Sequence, residues 1–390
     1  MLLMIPFPDP WKKYAKSENP DPSAIVLAGV GIAFFAVPPI MNRDFLYALG
    51  RPLSPLYGLL MAWRASLYRA GLLPSVRLPV PVISVGNLIM GGTGKTPLVQ
   101  YITRMLQRQG RRPAIVSRGY GGTARGRCNL VSAGDMPLLP ASEAGDEPRL
   151  LAETLPGVPV LTGRARKFPA RCAVELGADV LVLDDGFQHL ALRRDINLVL
   201  FHADTLAGNS RVFPGGDLRE PVGALRRADA FILTGTCDRN RERADRFAVL
   251  LTMRFPGRPV FRAGYEPTAI LTYEEGTVIT TAFEAMGATP LYAFAGIAQP
   301  ETFTRTLREL NLDIVGFQFL PDHVPYRQAQ IAALFDQARQ LGAAACITTE
   351  KDMVKLRGLD WSMPVHSLRM EARLGEDFQD FLTARLGSLQ

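Results

Sequence analysis

The stretch VGNLIMGGTGKTPLV, residues 85–99, constrains the fold more than any other part of the chain. An apolar run leads into closely spaced glycines, then a lysine, a threonine and a helix-like segment with Pro97 in its first turn. This is the strand–turn–helix context of a phosphate-binding loop. Glycines let backbone N–H groups approach phosphate oxygens without a Cβ in the way, and the start of the helix adds positive potential. In the usual spacing, G-x-x-x-x-G-K-[ST], the first glycine would fall at position 89, which is Ile89. Gly91, Gly92, Thr93 and Gly94 are therefore read as the cradle. Lys95 is placed to contact the β- and γ-phosphates of ATP, and Thr96 to set its hydroxyl on Mg²⁺.

Around this loop the pattern alternates. LPVPVISVGN, RRPAIVS, GVPVLTG, ADVLVLDD, DINLVLFHA and DAFILTG read as strands, with helical segments between several of them. Such alternation predicts an α/β fold built on a parallel sheet covered on both faces. The pattern changes near residue 240, where RPVFRAGYEPTAILTYEEGTVIT reads as extended antiparallel structure. A second β/α alternation then begins with PLYAFAGIAQPETFTRTLREL. The resulting division is an apolar extension (1–40), a P-loop domain preceded by a docking helix (41–240), a β linker (241–284) and a smaller C-terminal α/β domain (285–390). A chain of 390 residues suits two such domains.

Composition narrows the class. Lys plus Arg exceed Asp plus Glu by 44 − 37 = 7, which suits an anionic partner. No nucleic-acid-binding signature accompanies that charge, and no obligate protein partner is evident. Cys128, Cys172, Cys237 and Cys346 are widely spaced, which argues against a zinc site or a disulfide framework. Residues 24–41 carry no charge, but Pro38-Pro39 shortens the usable helix, so a membrane anchor and a non-native start are weighed equally. In residues 53–73, Leu56, Leu59, Leu60, Trp63 and Leu67 share a helical face, with Arg64 at its border and Arg69 opposite. Tyr57, Trp63 and Tyr68 suit a lipid headgroup boundary. Base rates alone favour an ordinary core-packed helix.

Further polar residues fall where chemistry needs them. Four apolar residues run into Asp184-Asp185, the form of a Walker B strand, whose terminal carboxylates can hold Mg²⁺. In AGDEP, Asp146 is a candidate base for a hydroxyl proton and Glu147 a candidate for the metal. By itself that turn reads more readily as a helix cap. GRARKFPAR supplies Arg164, Arg166 and Lys167, and FPGGDLREP supplies Arg219; such arginines can hold phosphoryl oxygens, though single arginines are usually solvated. His323 in LPDHVPY is a loop histidine beside Asp322.

The loop spacing resembles the deviant loop of MinD-like ATPases, but Met90 stands where those proteins carry their signature lysine. A fuller resemblance covers residue 41 to the C-terminus. VGNLIMGGTGKTP, SRGYGG, GDEP, VLDDGFQH, PGGDLREP, FAGIAQPETF, DHVPY and TTEKDMVKL occur in that order. Together they resemble the tetraacyldisaccharide 4′-kinase family. The resemblance implies ATP- and Mg²⁺-dependent phosphorylation of the 4′-hydroxyl of a lipid A disaccharide 1-phosphate, giving lipid IVA. It also implies work at the cytoplasmic face of the bacterial inner membrane, in a cleft between two α/β domains.

By that resemblance Asp146 is the catalytic base, and His323 tunes or relays its proton from the other domain. Lys95 and Thr96 touch phosphate and Mg²⁺, and Glu147, Asp184 and Asp185 lie around the metal. Tyr120, Arg166, Gln188 and Arg219 lie near the nucleotide, with Arg164 an alternative to Arg166. Domain closure is expected to assemble the site. Two other readings compete: a MinD-like membrane switch ATPase, which Met90 argues against, and a soluble small-molecule P-loop kinase, which would not need residues 53–73.

Overall fold

The computed structural model describes residues 43–274, 277–322 and 324–389. The apolar extension 1–40 and His323 lie outside the described residues. Among the described residues, thirteen strands form one sheet. They are β1 (Val82–Asn87), β2 (Pro113–Ser117), β3 (Asn129–Ser132), β4 (Val160–Thr162), β5 (Val180–Asp184), β6 (Ile196–His202) and β7 (Ala230–Thr234), then β8 (Val260–Glu274), β9 (Thr277–Thr281), β10 (Leu291–Ala295), β11 (Ile314–Phe319), β12 (Ala345–Thr349) and β13 (Val365–Leu374).

The order is β11-β10-β12-β13-β8-β7-β6-β1-β5-β2-β4-β3, with β9 added to β8. The P-loop half is parallel from β4 through β7, with β3 antiparallel at its edge. The C-terminal half is parallel from β11 through β13. The predicted α/β class is what the chain adopts, with parallel strands dominating both halves of the sheet.

The two halves meet at a long ribbon. β8 starts parallel to β7 at Phe231↔Val260, then runs antiparallel to β13 from Ala263↔Leu374 to Thr272↔His366. The linker expected over 241–284 thus has two differences from a simple extended segment. It opens with a helix, Arg241–Arg254, and its partner strand comes from the C-terminal segment. The last helix, Glu376–Gly387, buries Phe378, Leu382 and Leu386 in the same core cluster as Ile83, Leu98 and Ile102. The end of the stretch assigned to the smaller domain therefore packs on the P-loop half.

Burial explains the strand sequences. β1, β2, β5, β6 and β7 are buried along their whole length, so they read as continuous apolar runs. At the carboxyl ends of β1 and β5 the side chains turn polar: Asn87 and Asp184 are buried there. In open parallel sheets that edge is where ligands bind.

Residues 43–69 form helix Arg43–Gly50, a short 3-10 turn and helix Ser54–Arg69. The inner face of the second helix sits on the 211–221 loop. Tyr57 packs edge-on against Phe213 and its hydroxyl donates to the Arg219 carbonyl at 3.2 Å, and Gly58 lies beside Pro221. Tyr57 is therefore turned inward, not toward a headgroup layer as its sequence suggested. The leucine stripe faces out: Leu56, Leu59 and Trp63 are 58%, 67% and 60% exposed. The core-packed reading of this helix does not hold. No helix among the described residues is long and apolar enough to cross a membrane.

Candidate active site

The loop after β1 owes its unusual spacing to its backbone partners. Met90 N–H donates to the Asp217 carbonyl and Arg219 N–H to the Leu88 carbonyl, each at 2.8 Å, so residues 88–90 pair with 217–219. Ile89 bridges Leu218 and is buried. The position of the usual first glycine is thus a core residue in a small strand pair, and the left-handed backbone begins beyond it at Gly91, φ +117°. Helix Lys95–Arg108 then starts from Gly94, whose left-handed φ of +69° favours glycine.

Three side chains outside the predicted cradle fix this loop. Asn87 Nδ2 donates to Thr93 Oγ1 at 2.9 Å, Thr234 Oγ1 donates to the Thr93 carbonyl at 2.8 Å, and Tyr265 Oη donates to the Gly94 carbonyl at 2.6 Å. Tyr265 fills the space under Gly94, where a Cβ would collide with its hydroxyl. Burial raises its pKa, which keeps it a donor. Asn87 lies inside the VGNLIMGGTGKTP motif, but only the fold brings β7 and β8 under the loop, so sequence reasoning misses Thr234 and Tyr265.

Asp184 and Asp185 end β5 beside the loop. Lys95 Nζ lies 3.7 Å from Asp185 Oδ1, and Arg219 Nη1 lies 2.8 Å from Asp185 Oδ2. Arg166 is buried beneath the turn and donates to the Asp184 and Asp185 carbonyls at 3.2 and 2.9 Å. Arg164 is exposed. Gln188 Nε2 donates to the Asn87 carbonyl at 2.8 Å, which ties the turn after β5 to the end of β1. Burial would raise the pKa of Asp185, but Lys95, Arg219 and Arg166 outweigh it and hold the carboxyl well below the usual range.

Asp184 is the opposite case. Burial, with Glu147 and Asp185 nearby, pushes its pKa up to about 7 against the pull of Lys95. Ser117 donates to Oδ2 at 3.0 Å, while Oδ1 is buried without a hydrogen-bond partner. His189, in the same turn, is held neutral: burial and then the Arg166, Arg194, Arg64 and Arg118 charges push its pKa down to about 3.

Asp146 and Glu147 occupy the first turn of helix Asp146–Thr154. Gly145 precedes them at φ +93°, where a Cβ would strike the Tyr120 carbonyl at 2.5 Å. The SRGYGG loop therefore lies directly on this turn, and Tyr120 itself is exposed. The helix is joined to the P-loop helix by Gln100 Nε2 donating to Thr154 Oγ1 at 2.7 Å. Both helix starts point to the same sheet edge, and Glu147 is close enough to act on the charge of Asp184.

The C-terminal half closes the other side. Lys351 Nζ lies 3.4 Å from Glu147 Oε1 and 3.3 Å from Asp322 Oδ1. Burial opposes its charge, yet Glu147, Asp322 and Asp146 together hold its pKa above the ordinary value. Ala298 reaches the P-loop, within 3.0 Å of where a Gly92 Cβ would stand. The structure thus gathers Lys95, Asp146, Glu147, Arg166, Asp184, Asp185, Gln188 and Arg219 at one cleft. Thr96 is half-buried at the start of the P-loop helix.

This arrangement combines a glycine cradle with a lysine, buried carboxylates at a Walker B strand, and a carboxylate pair at the start of helix Asp146–Thr154. The model of the family described as "Tetraacyldisaccharide-1-P 4'-kinase" matches residues 46–387. The chain belongs to that family. A tetraacyldisaccharide 4′-kinase of Desulfotalea psychrophila is 44% identical over 344 residues, covering 88% of this chain and 97% of that one. The enzyme of that name from Syntrophus aciditrophicus is 42% identical, covering 86% and 91%.

Among solved structures, LpxK from Aquifex aeolicus in complex with ATP superposes with a TM-score of 0.70 at 32% identity, covering 89% of this chain and 99% of that one. Membership of the tetraacyldisaccharide 4′-kinase family makes the chain an enzyme of lipid A biosynthesis that phosphorylates the 4′-hydroxyl of the tetraacyldisaccharide 1-phosphate precursor. It disfavours both the switch ATPase and the soluble small-molecule kinase.

Proposed function

We propose that the chain carries out this phosphorylation with Mg²⁺ and ATP in the cleft between its two halves, docked on the cytoplasmic face of the inner membrane. The observation that carries the reading is the convergence of Lys95, Asp185 and the Asp146–Glu147 turn at one sheet edge. ATP would enter with its phosphates on Gly91, Gly92, Thr93 and Gly94, where backbone N–H groups and the helix start favour negative charge. Lys95 and Arg219 now share Asp185; an arriving γ-phosphoryl group competes for both cations. Arg166 holds the Asp184–Asp185 turn from below, and Tyr120 flanks the nucleotide end of the cleft.

The residues fit a bound Mg²⁺. Asp184 Oδ1 is a buried carboxylate oxygen that lacks a hydrogen-bond donor, and hard cations take oxygen ligands of this kind. Asp184, the Thr96 hydroxyl and either Glu147 or Asp185 would hold it. When bound, it neutralises charge on the phosphate oxygens.

Asp146 acts as general base. It takes the proton from the 4′-hydroxyl as that oxygen bonds to the γ-phosphorus, and the bond from the γ-phosphorus to the bridging oxygen breaks to release ADP. His323 is proposed to relay that proton onward. The exposed Leu56, Leu59 and Trp63 would enter the membrane surface and bring the cleft to a lipid-anchored sugar. The reading is tested with purified protein, labelled ATP, Mg²⁺ and tetraacyldisaccharide 1-phosphate in detergent micelles. A bisphosphorylated lipid is expected; ATP hydrolysis that ignores the added lipid would overturn it.

A further inference from the structure

The TTEKD segment has no part in the mechanism above, yet its side chains are densely bonded within the C-terminal half. Thr349 caps helix Glu350–Leu356 by accepting from Asp352 N–H at 3.1 Å. Asp352, fully buried, accepts from Gly296 N–H at 3.0 Å, Tyr326 Oη at 2.7 Å and Lys355 Nζ at 2.8 Å. These bonds join three motifs, FAGI, DHVPY and TTEKD, into one rigid unit. Thr348 and Glu350 extend it, bonding the Phe294 carbonyl and Arg369.

One side chain of this unit also reaches beyond it. Lys351 projects from the first turn of the capped helix into the cleft, between Glu147 of the P-loop half and Asp322 of its own half. A solvated interlobe ion pair would stabilise little. Lys351 is different, because its side chain is only 18% exposed and its base is fixed by the buried network.

We propose that Lys351 is a positioning residue for phosphoryl transfer: it ties the Asp146–Glu147 turn to the Asp322 turn and so sets the base against the acceptor when the halves close. The proposal rests on the reading of Asp146 as base. Misplacing a reacting group by about 1 Å costs about 10²-fold in rate, so the role is visible in turnover while nucleotide binding on the P-loop is spared.

The test uses single-turnover phosphorylation of tetraacyldisaccharide 1-phosphate in micelles, with fluorescent ATP binding and thermal melts measured in parallel. Lys351→Met is expected to slow transfer about 10²-fold and to leave nucleotide affinity within about twofold. Lys351→Arg, which keeps the charge, restores most of the rate. Lys351→Met combined with Asp322→Asn is expected to be no slower than the slower single variant, because both remove one tie.

A Lys351→Met rate within about threefold of the parent would overturn the proposal, as would losses that multiply in the double variant. So would a fall in nucleotide affinity matching the fall in rate. Should Lys351→Met not fold, Lys351→Arg and Asp322→Asn carry the comparison. An Asp146→Asn control separates the layers. If it is inactive while Lys351→Met is normal, this inference alone fails. If Asp146→Asn is fully active, the assignment of the base fails and the inference with it.

Discussion

Asp184 and Asp185 are neighbours in sequence with opposite electrostatics. Asp185 faces Lys95 and Arg219, and its carboxylate is favoured. Asp184 is buried, with Glu147 close by and one oxygen unpaired, and its charge is disfavoured until a cation arrives. A carboxyl raised to about 7 in the folded state, against about 3.9 unfolded, stabilises fully below the unfolded value and loses that contribution as pH rises through 7. Without metal, Asp184→Asn and the parent should therefore melt alike near about pH 4, with the variant gaining as pH rises through about 7. Melting curves that stay parallel across that range would contradict the electrostatic reading. The same variant should lose transfer activity, since the orphaned oxygen is the proposed metal ligand.

At the scale of elements, legibility tracks burial. β1, β5 and β6 are readable because both their faces are covered, so their sequences are unbroken apolar runs. β13 is not. Its VHSLRMEARL sequence carries Arg369, Glu371 and Arg373, which pair with Glu350, Arg104 and Glu266. A strand whose charges are satisfied by other elements imitates a loop when seen alone. The P-loop, Walker B and GDEP residues are legible because each sits on a short local motif. Thr234 and Tyr265 are not, because their partners lie on another element; Asn87 and Lys351 sit inside motifs, but the motifs do not show which groups they meet.

Helix Ser54–Arg69 is legible as amphipathic, but its direction is not. Only the structure shows Tyr57 turned to Phe213 and the leucines left outside. Replacing Leu59 and Trp63 by serine should abolish sedimentation with anionic vesicles, while activity on micellar substrate falls by less than about tenfold. Unchanged vesicle binding would place the docking surface elsewhere.

At the scale of the molecule, two parallel half-sheets share a single antiparallel ribbon, β8 with β13. The P-loop is held from that ribbon through Tyr265, and the cleft is crossed by Lys351 and approached by Ala298. The proposed closure of the halves would thereby be connected to nucleotide binding through one strand pair. On the proposed mechanism the acceptor is activated from the P-loop half, by the carboxylate at the head of helix Asp146–Thr154.

The most direct measurement is the single-turnover rate of 4′-phosphorylation by Asp146→Asn with ATP and lipid both saturating. The expected result is a loss of at least about 10²-fold, with ATP binding and melting temperature retained. A rate within about threefold of the parent's would show that the base lies elsewhere and would contradict the account.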